Sequence, residues 1–413
     1  MPFDRIRAVL TQQLEALDSE GRRKGAEAIV TEIVPAEGER GPRVRLAGEG
    51  DRPFLRMNSN GYLGMALRDE VRQAEEEATR RFGTGPQAVR FISGTFAPHV
   101  ELEERLAAFH GREACMIYSS AYATVMGVLP PLLLPGSAVL SDELNHNCII
   151  NAIRSSAAGG EVERFVYGHG DMARLEEQLE EAAESGARRA ILVTDGVFSM
   201  RGDIAPLPEI MACAERFDSR FPENAIVVVD DSHGVGALGA TGRGSEEEMG
   251  QRADVLVGTL GKAFGVNGGY VVGETVLVEY LREVSPFYVY SNPMTCGEAA
   301  AATRAVELLD SEEGRGLLTH LRAMTARFER GLVDIGYETI PGPHPVVPLL
   351  LRDSERTMEL VRHLRENAVL ATALGYPVVP RGEEEIRFQL SADHTPSDVD
   401  EVLHALGRFA SSR

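Results

Sequence analysis

A chain of 413 residues with 43% hydrophobic and 25% charged residues is ordinary for a folded, water-soluble protein and can hold two or three structural parts. Its net charge of −21 excludes broad electrostatic binding to nucleic acid or an anionic membrane, so a polyanionic ligand needs a local site of backbone N–H groups or a few Arg. Four cysteines, Cys115, Cys148, Cys213 and Cys296, lie far apart without metal spacing, which predicts a reduced, cytoplasmic setting and no structural zinc.

Residues 1–60 open with Ile6, Val9, Leu10, Leu14 and Leu17 at helical spacing. This reads as an amphipathic docking helix and not as a signal peptide, which needs a basic start and an apolar run. A turn-rich stretch, VPAEGERGPRVRLAGEGDRPF, separates that helix from the rest of the chain. From 61 to 296, short apolar runs alternate with helical patterns: ACMIYSS, SAVLSDE, RFVYG, AILVTDG, AIVVVDD, DVLVGTL and GYVVG. Helical stretches such as DMARLEEQLEEAAESG and LPEIMACAERF lie between them. That alternation predicts an α/β domain with a mainly parallel seven-stranded sheet covered on both faces. Residues 297–413 read as a smaller α+β domain. It starts with one long helix (GEAAAATRAVELL to FERGLVDIG) and continues through the strand PVVPLLL, a helix at 354–367, the strand EIRFQLS and a last helix at 396–410. The longest apolar run, MGVLPPLLLPG, is broken by Pro130, Pro131 and Pro135, so no membrane span is expected.

Ligands of open α/β sheets bind beyond the carboxyl ends of the strands. Those ends here carry Ser119-Ser120, Ser141-Asp142, Asp195, Asp230-Asp231 and Thr259. GVGALG at 234–239 matches the dinucleotide pattern, but ATGRGS follows where a helix must start. GTLGKA is no P-loop, because Ala263 stands where magnesium needs a hydroxyl. Ser232 and His233 are chain neighbours on an extended segment and make no hydrolase pair.

Of the 42 Lys and Arg residues, only Lys24 and Lys262 are Lys. Lys24, in EGRRKGAE, reads as a surface residue. Lys262 sits in GTLGKAFG, where an amine can lose its proton and bond a carbonyl as a guanidinium cannot. The preceding strand ends in Asp230, with His233 close by. A Schiff-base lysine, an acid for a pyridinium nitrogen and a nearby His together suggest pyridoxal phosphate. The helix start in YSSAYATVMG offers N–H groups to its phosphate.

These segments resemble the α-oxoamine synthases, pyridoxal-phosphate enzymes of the aspartate-aminotransferase-like fold (fold type I). NGYLG, AVRFISGT, HVELEERLAAF, SDELNH, TDGVFSMRGDIAPL, VVVDDSHGVG, GTLGKAFG, YPVVPRG and IRFQLSADHT carry the resemblance from about residue 55 onward. Several of them look most like glycine C-acetyltransferase, also called 2-amino-3-oxobutyrate CoA ligase. The resemblance implies that Lys262 bonds the cofactor and moves the Cα proton. It implies that Asp230 faces the pyridinium nitrogen, His233 the ring hydroxyl and His146 the ring face. Ala121, Tyr122 and Thr259 match phosphate-binding positions, joined by Ser291 or Asn292 of the partner subunit. Asn60, Ser199 and Arg387 match the set that holds the amino-acid carboxylate. The chain departs from the family pattern at Gly61, Val125, SNPMTC and Pro86-Gln87, and Gln87 becomes the candidate for amino-acid selection. The implied reaction joins an amino acid, glycine first, to an acyl thioester, acetyl-CoA first, in a homodimer with shared active sites. Another acyl donor or amino acid, an aminotransferase and an aldolase are the rival readings.

Overall fold

The computed structural model describes residues 3–411 except 21, 24, 377 and 378. Lys24 and the Pro377-Val378 pair of YPVVPRG therefore lie outside the described residues. The predicted strands form one seven-stranded sheet: β1 (Ala114–Tyr118), β2 (Ser137–Asp142), β3 (Val162–Tyr167), β4 (Arg189–Asp195), β5 (Ala225–Asp230), β6 (Val255–Thr259) and β7 (Gly269–Gly273). Their order is β1-β7-β6-β5-β4-β2-β3. All pairings are parallel except those of β7, which runs antiparallel to both β1 and β6. The cause is chain length. A parallel return needs a crossover of about a dozen residues or more, and the loop from β6 to β7 is shorter. It is a tight turn, and Lys262 sits in it.

Helices cover both faces of the sheet, as its near-continuous apolar strands require. Asp69–Phe82, Ala97–His110 and Cys296–Leu309 pack together on one side; Ala121–Leu132 and Asn147–Ala157 cover the other. Val125, a departure from the family pattern, is a buried core residue of that second layer.

A smaller C-terminal domain is built on β8 (Glu338–Thr339), β9 (Val346–Leu350), β10 (Thr372–Leu374) and β11 (Glu385–Gln389), antiparallel in the order β8-β9-β11-β10. The predicted single long helix is two, Cys296–Leu309 and Glu312–Asp334. Ser311 breaks it by accepting a hydrogen bond from the N–H of Gly314, so a side-chain cap replaces the helical ladder.

The turn-rich stretch near the start also holds structure. Arg43–Leu46 pairs antiparallel with Val30–Val34. Leu55–Arg56 pairs parallel with Val369–Leu370, and the Met57 carbonyl accepts from the N–H of Gln389. This stitching fixes Asn60 and Tyr62 beside β11. The first helix, Asp4–Ser19, buries no residue, and its apolar face (Ile6, Val9, Leu10, Leu14) is exposed. Among the described residues, no helix is long and apolar enough to cross a membrane.

Candidate active site

A cavity of about 190 Å³ opens at the carboxyl ends of β4, β5 and β6. Its walls include Ala121, Tyr122, His146, Ser199, Asp230, His233, Thr259 and Lys262, brought together from separate segments of the chain. Asn60 and Arg387 adjoin its rim through Gln389 and Ser199. Gln87, Ser291 and Asn292 are not among its lining residues. Gln87 is exposed on left-handed backbone (φ 59°), so its side chain does not fill space in the cavity of its own chain. As the sequence's candidate for amino-acid selection it thus stands apart from this cavity in its own chain.

Lys262 is presented by a turn that only glycine can close. Gly265 has φ 69°, its N–H bonds the Lys262 carbonyl at 3.0 Å, and a Cβ there would lie 2.4 Å from the backbone nitrogen of Ala66. Burial pulls the Lys262 amine down to about 8, against the opposing pull of the Asp230 and Asp195 carboxyls. Asp230 and Asp195 are register partners at adjacent strand ends. Burial, with the like charge of Asp230 beside it, drives the Asp195 carboxyl well above the carboxylate range. Asp195 has a structural task too: its Oδ2 accepts the backbone N–H of His146 at 3.0 Å.

His146 ends the loop before the helix Asn147–Ala157 and sits at the cavity mouth. Its Nδ1 accepts from the N–H of Cys148 at 3.3 Å and lies 2.9 Å from the Cys148 sulfur. Those partners assign the ring proton to Nε2. Burial lowers its pKa, and the charge of Lys262 adds to this while Asp230 opposes it. His233 is buried, and its pKa falls well below the usual value through burial first and the Lys262 charge second. Its Nδ1 is 2.7 Å from the Tyr62 hydroxyl. Burial raises the Tyr62 phenol above its ordinary range, so it keeps its proton and donates to Nδ1. The His233 proton is thereby on Nε2. The His233 carbonyl accepts from Nε2 of His344 at 2.9 Å.

On the far wall, the helix Ala121–Leu132 starts at the cavity. Ser120 accepts from the N–H of Ala123, and the first N–H groups of any helix lack intrahelical partners. The helix can approach because position 269 is Gly: a Cβ there would lie 2.5 Å from the Ala121 backbone. Thr259 accepts from the N–H of Gly261 at 3.1 Å.

Arg387, on β11, donates from Nη1 to the Ser199 carbonyl at 2.7 Å. With the Gln389 amide oxygen turned toward the guanidinium, Gln389 accepts from Nε at 3.2 Å and Nη2 at 2.9 Å, and it lies 2.9 Å from the Asn60 side chain. Among the described residues these bonds use one N–H of each terminal nitrogen of Arg387, which leaves each a second for a carboxylate.

Sequence reasoning assigned no role to Tyr62, His344, Cys148, Asp195 or Gln389. It also set Ser232 aside, yet Ser232 lines the cavity with a buried hydroxyl that has no hydrogen-bond partner among the described residues. The chain turns directly after Asp230, whose Oδ1 accepts the Ser232 N–H at 3.1 Å, so residues 232 and 233 do not alternate as on a strand.

The donor set suits pyridoxal phosphate: a half-buried amine of lowered pKa, an acid at the neighbouring strand end, an orphaned hydroxyl and a free helix N-terminus. The model of aminotransferase class I and II matches residues 52–406, and the chain belongs to that family. It is 40% identical over 354 residues to 8-amino-7-oxononanoate synthase from Thermosipho melanesiensis, covering 85% of this chain and 87% of that one. It is 36% identical over 403 residues to the mitochondrial 2-amino-3-ketobutyrate coenzyme A ligase of Bos taurus, covering 97% and 91%. Sphingomonas wittichii serine palmitoyltransferase has the same fold, with a TM-score of 0.86, 27% identity and coverage of 100% of this chain and 98% of that one. Within the family the chain is a pyridoxal-phosphate-dependent α-oxoamine synthase, of fold type I.

Proposed function

We propose that this enzyme condenses a small α-amino acid, glycine first, with an acyl thioester of coenzyme A, acetyl-CoA first. The product is a 2-amino-3-oxo acid, or an aminoketone once carbon dioxide is lost. The observation that carries the reading is the Lys262 amine, lowered to about 8 beside Asp230 and facing a helix N-terminus across one small cavity. When bound, pyridoxal phosphate supplies a carbonyl for the substrate amine and a ring that draws electrons from Cα.

The protein's part is set by the groups around the cavity. Lys262 Nζ holds the cofactor and then takes and returns the Cα proton, which suits an amine that titrates near neutral pH. Asp230 sets a negative charge against the ring nitrogen. His233 Nε2–H donates to the ring oxygen, and His146 covers the ring face. The N–H groups of Ala121 and Tyr122 and the Thr259 hydroxyl take the phosphate. Arg387, flanked by Asn60 and Ser199, takes the amino-acid carboxylate. Removing that fork by Arg387→Gln should raise the amino-acid KM about ten- to a hundredfold, the loss of a charge-assisted bond, with little change in the KM for the thioester. Steady-state kinetics with both substrates varied checks the split.

The 8-amino-7-oxononanoate synthases among its relatives favour a second reading. The product in that name is what alanine and a seven-carbon dicarboxylic thioester give on condensation with loss of carbon dioxide. A matrix of amino acids against acyl-CoAs, read by free-thiol release, decides between them. Thiol release fastest with glycine and acetyl-CoA supports the first reading. Preference for alanine and the longer diacid overturns it. Amino-acid turnover without any thioester would overturn both in favour of a transaminase or aldolase.

The working unit we propose is a homodimer, with Ser291 or Asn292 of the partner subunit at the phosphate. Phe91, Ile92 and Tyr290 are exposed apolar side chains, Tyr290 at 81%, as is the apolar face of the first helix. An obligate interface between two copies usually buries more than about 2,000 Å². Sedimentation at assay concentration should give a dimer; a fully active monomer rules it out.

A further inference from the structure

Outside the cavity, three segments bring titratable side chains into one row. Asp142 ends β2, His169 lies on the turn after β3, and Asp203 lies on the loop after β4. His169 Nδ1 is 3.1 Å from Asp142 Oδ2, and its Nε2 is 2.5 Å from Asp203 Oδ2. Carboxylates only accept, so both ring nitrogens donate and the ring is an imidazolium. Asp142 is itself held, accepting from the N–H groups of Leu144 and Gly170. The other charged groups nearby are Glu143, which takes the His169 backbone N–H, and Asp171 on the same turn. Beyond Asp203, Arg201 pairs with Glu383, and Glu385 lies on β11.

Asp203 belongs to a short hairpin. Its carbonyl accepts the Phe198 N–H at 2.9 Å, and Val197 bridges Ile204. The Phe198 ring meets the imidazole edge-on, 4.4 Å between centroids. The next residue is Ser199, whose carbonyl holds Arg387. A continuous line thus runs from the end of β2 through His169 and Asp203 to Ser199 and the guanidinium.

We propose that His169 is a positioning residue, a charged strut between Asp142 and Asp203 that holds the hairpin of Ser199 and so aims Arg387 at the substrate carboxylate. This rests on Arg387 being the carboxylate clamp. The hydrogen bonds to Asp142 and Asp203 raise the His169 pKa to about 10, from 6.5. A raised folded-state value means the strut's stabilisation is complete below about 6.5 and is lost as pH rises through about 10.

The test uses holoenzyme of His169→Gln and of Asp203→Asn, which keeps the shape and removes a charge. Cofactor absorbance during amino-acid titration gives affinity, and steady-state kinetics give the split. Each variant should weaken amino-acid binding about tenfold while kcat stays within about threefold, because a misaimed clamp costs binding geometry and leaves the reacting groups in place. In apoprotein melts, the gap between wild type and His169→Gln should close as pH rises through about 10. Unchanged amino-acid affinity in both strut variants, where Arg387→Gln weakens it, overturns the strut alone. Unchanged affinity in Arg387→Gln as well overturns the carboxylate reading and the strut with it.

Discussion

Lys262→Ala is expected to lose condensation by about 10⁴-fold or more, since it removes both the covalent anchor of the cofactor and the base at Cα, and a general base alone contributes 10²–10⁴. Lys262→Arg should fail equally, because a guanidinium that stays protonated cannot bond the cofactor carbonyl. Neither change disturbs the turn, which is closed by the bond of Gly265 to the main-chain carbonyl of residue 262. Both variants should therefore fold while losing the absorbance of lysine-bound cofactor. Wild-type apoprotein supplies a second check. Only the neutral amine attacks a carbonyl, so capture of pyridoxal phosphate should accelerate as pH rises through about 8, not near 10.5. Between those values the unfolded chain holds more protons at this site than the folded one. Apoprotein stability therefore gains with rising pH across that window, and Lys262→Ala removes the gain. Turnover by either variant without added amine would refute the assignment.

The range of the forces involved explains which features the sequence revealed and which it hid. Most strands of the main sheet were readable because they are near-continuous apolar runs, and β7 matches its predicted span, whereas the edge strand β3 (VERFVY) is mixed and largely exposed. Lys262, Asp230, His146 and His233 were expected from the cofactor chemistry and the resemblance, and the fold gathers them around one cavity. Tyr62 was not, because its hydrogen bond to His233 spans 171 positions and leaves no local pattern. Gln389 and Asn60 lie 329 positions apart and meet because the Met57 carbonyl accepts the Gln389 N–H, next to the pairing of Leu55–Arg56 with Val369–Leu370, strands too short to show a period. Ser311 hid inside a helical pattern because Leu308, Leu309, Glu312 and Glu313 around it are good helix formers and outweigh the poor ones, Asp310 and Gly314. Gln87 shows the converse. A polar residue in a motif attracts a role, but its side chain is exposed on its own chain and off the cavity lining.

Asp230→Asn should separate two quantities that a merely damaged fold would lower together. The amide matches the carboxyl in shape, so the Ser232 N–H keeps an acceptor and the strand end keeps its turn. What is lost is the negative charge. Without it the ring nitrogen is not held protonated and the Cα carbanion loses its sink, which should cost about 10³-fold in Cα-proton exchange, the usual scale for deleting one electrostatic stabiliser. Cofactor capture should move the other way. Burial lowers the Lys262 amine, and Asp230 is the largest influence raising it again, so removing that charge takes the amine below about 8. The carboxyl of Asp195 loses the like charge of Asp230 but keeps the burial that is the larger cause of its rise. Apoprotein of the variant should thus bind pyridoxal phosphate covalently at lower pH than wild type while exchanging the Cα proton of glycine far more slowly. Deuterium exchange followed by NMR, set beside the pH profile of capture, reads both. Exchange close to the wild-type rate would show that Asp230 does not face the ring nitrogen.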